Sequence, residues 1–181
     1  MRNTALTVIL FSLIFYCCSN DVEPRTSSQE QEEFSAFIQT FEEKGVQLEQ
    51  SYDGLYYYFD SLGNTSYPVA VGDSVITQYI LYNIASGYTI DGTGSENTFN
   101  FVYKGHDDTG LIKGFNYSIG LSRLHSLGNF IFTSDLGYGS TGYGYIEPYT
   151  SLYFQIKIVD IYRNGISLSE QEQITDSLSS R

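Results

Sequence analysis

The chain has 181 residues, of which 41% are apolar and 16% aromatic, and its 21 acidic against 9 basic residues give a net charge of −12 at pH 7. That length and apolar content suit one domain with appendages, while the negative charge argues against nucleic acid or an anionic membrane surface as a partner. Cys17 and Cys18 are adjacent, so no disulfide framework staples the fold.

The N-terminus carries Arg2 and then an unbroken apolar or small run over residues 5–16. Such a run is too short to span a bilayer and reads as a secretory signal peptide. The cysteine at its end, followed by Ser19-Asn20-Asp21, resembles the lipobox of bacterial lipoproteins, whose Cys becomes the lipidated first residue. Cys18 is the candidate, because Cys17 rather than the larger Tyr16 then precedes the cut. The expectation is an exported protein, lipid-anchored to a bacterial membrane, at the outer membrane or cell surface. The bland alternative is a cleaved signal with bystander cysteines.

Residues 19–27 hold Pro24 among small polar residues and read as a tether. Over 28–43, Phe34, Phe37, Ile38 and Phe41 fall at i, i+3, i+4 and i+7, which predicts an amphipathic helix docked through its Phe stripe. Ser28 with Gln31 fits a capping box, and Gly45 is placed to end the helix. Strands are expected at 55–59, 75–82, 98–103, 130–133 and 151–162, with 83–94 as a loop and a short helix within 111–121. A weak second helix is expected over 167–178, capped by Ser169 and Glu172. The order is α+β: several strands around one short helix. The chain thus divides into a signal peptide (1–18), a tether (19–27), an N-terminal helical segment (28–54), the folded domain (55–162) and a C-terminal tail (163–181).

Residues 136–158 combine a loop dense in Gly and Tyr with an alternating strand. Tyr138, Tyr143, Tyr145 and Tyr149 give the loop an aromatic rim with polar tips, the profile of a cover over an apolar binding site. Gly137-Tyr138-Gly139-Ser140-Thr141-Gly142 matches a dinucleotide-binding pattern letter for letter, but the next element is a strand, whereas that motif must open a helix. His106-Asp107-Asp108 reads as a solvated turn rather than a metal site. No nucleophile motif supports covalent hydrolysis.

From Val71 to Ile161 the order of motifs resembles the FKBP-type peptidyl-prolyl cis-trans isomerases. Gly72-Asp73-Ser74-Val75 with Gln78-Tyr79 is similar to the family's opening strand, and Thr89-Ile90-Asp91 sits where it has Phe-Asp. Thr98-Phe99-Asn100-Phe101, then Leu111-Ile112-Lys113-Gly114-Phe115, Leu136-Gly137-Tyr138-Gly139 and 145–154 come in the family's order. With its N-terminus, the chain looks most like the lipoprotein forms of Gram-negative bacteria, including those associated with gliding motility. The resemblance implies a curved antiparallel sheet wrapped around one short helix, with an extra N-terminal helix, and prolyl isomerisation without metal or organic cofactor. The partners it implies are proline-containing polypeptides, exported or at the surface.

The site the resemblance implies has Phe115 as its floor, Tyr138 donating its hydroxyl to a substrate carbonyl, Asp91 orienting the peptide and Ile112 donating its backbone N–H. Tyr79, Ile90, Phe99, Leu111, Ile146 and Phe154 would form the walls, with Tyr143 and Tyr145 on the flap. Core packing accounts equally well for Phe99, Phe154 and Tyr79. Departures from the pattern are Phe115 for Trp, Ile90 for Phe and Glu147 for the first Pro of the flap pair. The rival readings are a non-catalytic chaperone or scaffold module and a surface glycan-binding β-domain.

Overall fold

The computed structural model describes residues 24–51, 54–107 and 110–180. The expected signal peptide and its candidate Cys18 lie outside the described residues.

Helix α1 (Ser27–Glu43) begins at a capping box, but one built by Thr26 and Gln29 rather than by Ser28 and Gln31. Both pairs satisfy the same sequence pattern. The earlier one is used, and it places Glu30 in the first turn. At the other end, Gly45 adopts φ 74° while its N–H donates to the Glu42 carbonyl and that of Val46 to the Phe41 carbonyl. This is a Schellman ending, which needs the left-handed conformation that glycine takes without strain.

The remaining elements are β1 (Glu49–Ser51), β2 (Leu55–Ser61), β3 (Ser74–Asn83), β4 (Thr89–Gly92), β5 (Phe99–Val102), α2 (Lys113–Leu121), β6 (Leu127–Phe132), β7 (Leu152–Arg163), β8 (Ile166–Ser167) and α3 (Leu168–Ser179). All described strands join one antiparallel sheet in the order β1-β2-β6-β7-β3-β4, with β5 also on β3 and β8 on β7. The outer edge of β3 is shared: Ser74–Thr77 pair with β5, and Ile80–Tyr82 with β4. Strand β4 falls within the segment expected to be a loop. It is four residues long and flanked by Gly87 and Gly94, so no period shows in the sequence.

The sheet separates two apolar layers. On one face Phe130, Phe132, Phe154, Ile156 and Ile158 pack with Phe115 and Ile119 of α2. On the other, Ile131 and Ile84 meet Phe34 and Phe41 of α1 under a rim of Tyr56, Tyr58 and Tyr153. Alternate residues of β6 therefore point to different layers, and 128–132 are buried throughout because both faces are covered. The Phe stripe of α1 docks as the periodicity predicts. Helix α2 sits so close to β6 that a Cβ on Gly114 would lie 2.3 Å from the Phe132 ring. The C-terminal helix is capped by Ser167, whose hydroxyl accepts from the Glu170 N–H, two residues before the expected cap.

Candidate active site

A cavity of about 820 Å³ opens between β3, β4, β5, the start of α2 and the loop after β6. Its floor is Phe115, 4% exposed on the first turn of α2. Aromatic rings hold it on every side: the centroids of Phe101 and Phe154 are 5.5 Å away, that of Tyr79 6.0 Å and that of Phe99 6.1 Å. Their tilted and edge-on geometry is the arrangement that ring quadrupoles favour. Leu111 and Ile112 complete the wall as the chain enters the helix. Ile112 is the N-cap of α2, at the end where backbone N–H groups lack partners within the helix.

Two of the polar residues that line the cavity, Asp91 and Tyr138, were expected there. Asp91, on β4, accepts a 2.7 Å hydrogen bond from the Tyr79 hydroxyl through Oδ2, and its Oδ1 accepts from the Gly92 N–H at 2.8 Å. Burial, reinforced by the hydrogen bond to Asp91, raises the pKa of Tyr79 well above that of a free phenol. Tyr138 lines the mouth from the loop after β6. Burial and the nearby Asp91 charge raise its pKa too, so its hydroxyl stays protonated and able to donate.

Eight of the residues expected at the site line the cavity: Tyr79, Asp91, Phe99, Leu111, Ile112, Phe115, Tyr138 and Phe154. Ile90, Tyr143, Tyr145 and Ile146 fall outside its lining and brace it instead. The Tyr145 hydroxyl donates to the Ile90 carbonyl at 2.7 Å, tying the flap to β4 across 55 residues of sequence. The Tyr143 ring stacks on Tyr138 at 5.7 Å, and Tyr143 and Ile146 exchange two 2.9 Å backbone hydrogen bonds that close the tip of the flap. The cavity also takes in His106, Asp107, Lys113, Tyr117 and Asp135, none of them expected there. The His106 ring stands edge-on to Tyr117 with centroids 4.8 Å apart. Lys113 comes with the motif at 111–115, and the chain's path around the start of α2 brings in the others.

The fold is shared with solved structures. FkpA from Escherichia coli superposes with a TM-score of 0.58 at 18% identity, over 74% of this chain and 63% of that one. A peptidyl-prolyl cis-trans isomerase from Pseudomonas syringae pv. tomato gives 0.56 at 19% identity, over 74% of this chain and 96% of that one. This chain thus spans under two thirds of the length of FkpA. Comparison with curated protein sequences gives no match. Residues 66–159 match the family model of the FKBP-type peptidyl-prolyl cis-trans isomerases. The chain belongs to that family. The match runs from before β3 into β7 and takes in every residue that lines the cavity.

Proposed function

We propose that the cavity over Phe115 is where this isomerase acts, and that its substrates are exported or surface polypeptides folding beside a membrane to which Cys18 anchors the chain. Rotation about an X–Pro bond faces a barrier of roughly 20 kcal/mol because resonance gives the C–N bond partial double-bond character. Nothing covalent is needed to lower it. A dry aromatic pocket disfavours the charge-separated resonance form, and fixed polar groups hold the twisted peptide. In this reading the proline ring rests on Phe115, the Tyr138 hydroxyl and the Ile112 N–H donate to substrate carbonyls, and Asp91 orients the chain preceding proline.

The observation that carries the reading is the convergence of Asp91 and Tyr138, 47 residues apart in sequence, on the ring-walled floor of one cavity. A protease-coupled assay on a short Xaa-Pro peptide tests it. Acceleration by the wild-type chain and its loss in Phe115→Leu are expected. A folded protein that leaves the uncatalysed rate unchanged would reduce the domain to a binding module. For the anchor, mass spectrometry of the membrane fraction should find acyl groups on Cys18, and a free Ser19 terminus would refute it.

A further inference from the structure

Glu30 is 3% exposed, yet it belongs to a helix that covers the face of the sheet away from the cavity. Its carboxyl group accepts three hydrogen bonds: from the Ser134 N–H at 2.6 Å, the Ser134 hydroxyl at 2.8 Å and the Ser151 hydroxyl at 2.8 Å. Burying a carboxyl group is costly unless its oxygens are satisfied, so these contacts are specific and mutually required. Ser134 and Ser151 are the two roots of the loop that carries Tyr138, one after β6 and the other before β7.

The chain of contacts continues to the site. The Ser134 carbonyl accepts from the N–H groups of both Gly137 and Gly139, at 2.8 Å each, the two residues flanking Tyr138. The Gly139 carbonyl in turn accepts from the Tyr149 N–H at 3.0 Å. Arg25, just before α1, donates to the Tyr149 carbonyl at 3.1 Å and to Glu33 Oε1 at 3.2 Å. The beginning of α1 thus grips the loop at Ser134, Tyr149 and Ser151. Residues 24–43 lie outside the 66–159 matched by the family model, so this grip is additional to the family's shared domain.

We propose that Glu30 is a positioning residue for the isomerase: acting through Ser134, it fixes the backbone on either side of Tyr138 and so sets where the hydroxyl meets the substrate. The proposal rests on the isomerase reading of the cavity. Small displacements suffice for a large effect, since a misplacement of about 1 Å at a reacting group can cost about 100-fold in rate. The geometry also ranks the substitutions. Gln keeps the length, one acceptor for Ser134 N–H and Ser151, and an amide that can donate to the Ser134 hydroxyl, whereas Asp is one methylene too short to reach.

The test is kcat and KM of the full chain on an Xaa-Pro peptide for Glu30→Gln, Glu30→Asp and Glu30→Ala, with Phe41→Ala as control. Phe41 packs at the far end of the same helix and makes none of these contacts. Expected are a fall in kcat/KM of at least about tenfold for Asp and Ala, within the range that misplacement allows, most of the activity restored by Gln, and near wild-type kinetics in the folded fraction of Phe41→Ala. Amide hydrogen exchange supplies the second readout: Ser134, Gly137 and Gly139 should lose protection in Glu30→Ala while the β7 amides keep theirs. Equal losses in Phe41→Ala and Glu30→Ala, or unchanged kinetics and exchange in Glu30→Ala, would overturn the proposal. A wild-type chain without activity would sink the isomerase reading instead, and the exchange pattern alone would then decide whether Glu30 fixes the loop.

Discussion

At the scale of single residues, the polar side of the cavity is built from side chains that hold one another. Asp91 is on a short edge strand, yet the Tyr79 hydroxyl and the Gly92 N–H fix both of its oxygens. Tyr79 therefore has two jobs: its ring walls the floor beside Phe115, and its tip sets the carboxylate. Tyr79→Phe separates them, keeping the ring and deleting the bond. We expect kcat/KM to fall about fivefold, the equivalent of roughly 1 kcal/mol for a partly exposed hydrogen bond to a charged group, with little change in the thermal midpoint. Unaltered kcat/KM would mean that Asp91 acts without needing its orientation held.

At the scale of elements, the long periodic segments were legible in the sequence, as were the short β5 and α2, whereas β1, β4 and β8 were not. The Phe stripe of α1 and the alternation of β7 arise from periods of 3.6 and 2, which survive without tertiary context. Strand β4 exists because β3 offers it an edge over Ile80–Tyr82, a condition set 10 residues away, and no local pattern encodes it. The cavity's apolar floor, Asp91 and Tyr138 were legible only through the resemblance of the motif order to the family's. The bracing roles of Tyr143, Tyr145 and Ile90 were not, because they depend on which way the flap folds. Nor was the Glu30 grip, since a lone glutamate in a first turn looks like ordinary pairing with the helix dipole.

The docking of α3 shows a related element-scale device. Asp160 on β7 accepts from the Ser167 hydroxyl, the Ser169 hydroxyl and N–H, and the Ile161 N–H, fastening the start of the helix to the sheet. Burial alone would raise its pKa, but these hydrogen bonds outweigh it and the net shift is downward. A carboxylate with a lowered pKa in the folded chain adds stability above its unfolded value, and that stability is lost as pH falls through the folded value. Asp160→Asn should therefore cost about 1–2 kcal/mol at pH 7, a gap that starts to narrow near pH 5 and goes on narrowing as pH falls towards the lowered folded value. Urea midpoints at pH 7, 5 and 3 measure it. A gap that stayed constant across that range would mean that the charge contributes nothing.

At the scale of the whole molecule, the net charge of −12 acts where the cavity opens. Asp91, Asp107 and Asp135 line that cavity against one lysine, Lys113. Each unit charge at about 8 Å in water is worth about 0.5 kcal/mol, so an excess of two carboxylates should favour a cationic residue near the substrate proline over an anionic one. Part of that preference is screened even in dilute buffer, leaving an expected ratio of about fivefold to tenfold in kcat/KM between Lys- and Glu-flanked Xaa-Pro peptides at low ionic strength. The difference should appear in KM, because the flanking charge is felt alike by the planar and the twisted peptide, and uniform binding leaves kcat unmoved. Raising the salt to 1 M shortens the screening length to about 3 Å and should bring the ratio close to one. Asp107→Asn and Asp135→Asn should each lower the low-salt ratio, and Lys113→Gln should raise it. A ratio indifferent to salt would place the discrimination in shape rather than in charge, and with it the selection of substrate in the aromatic walls.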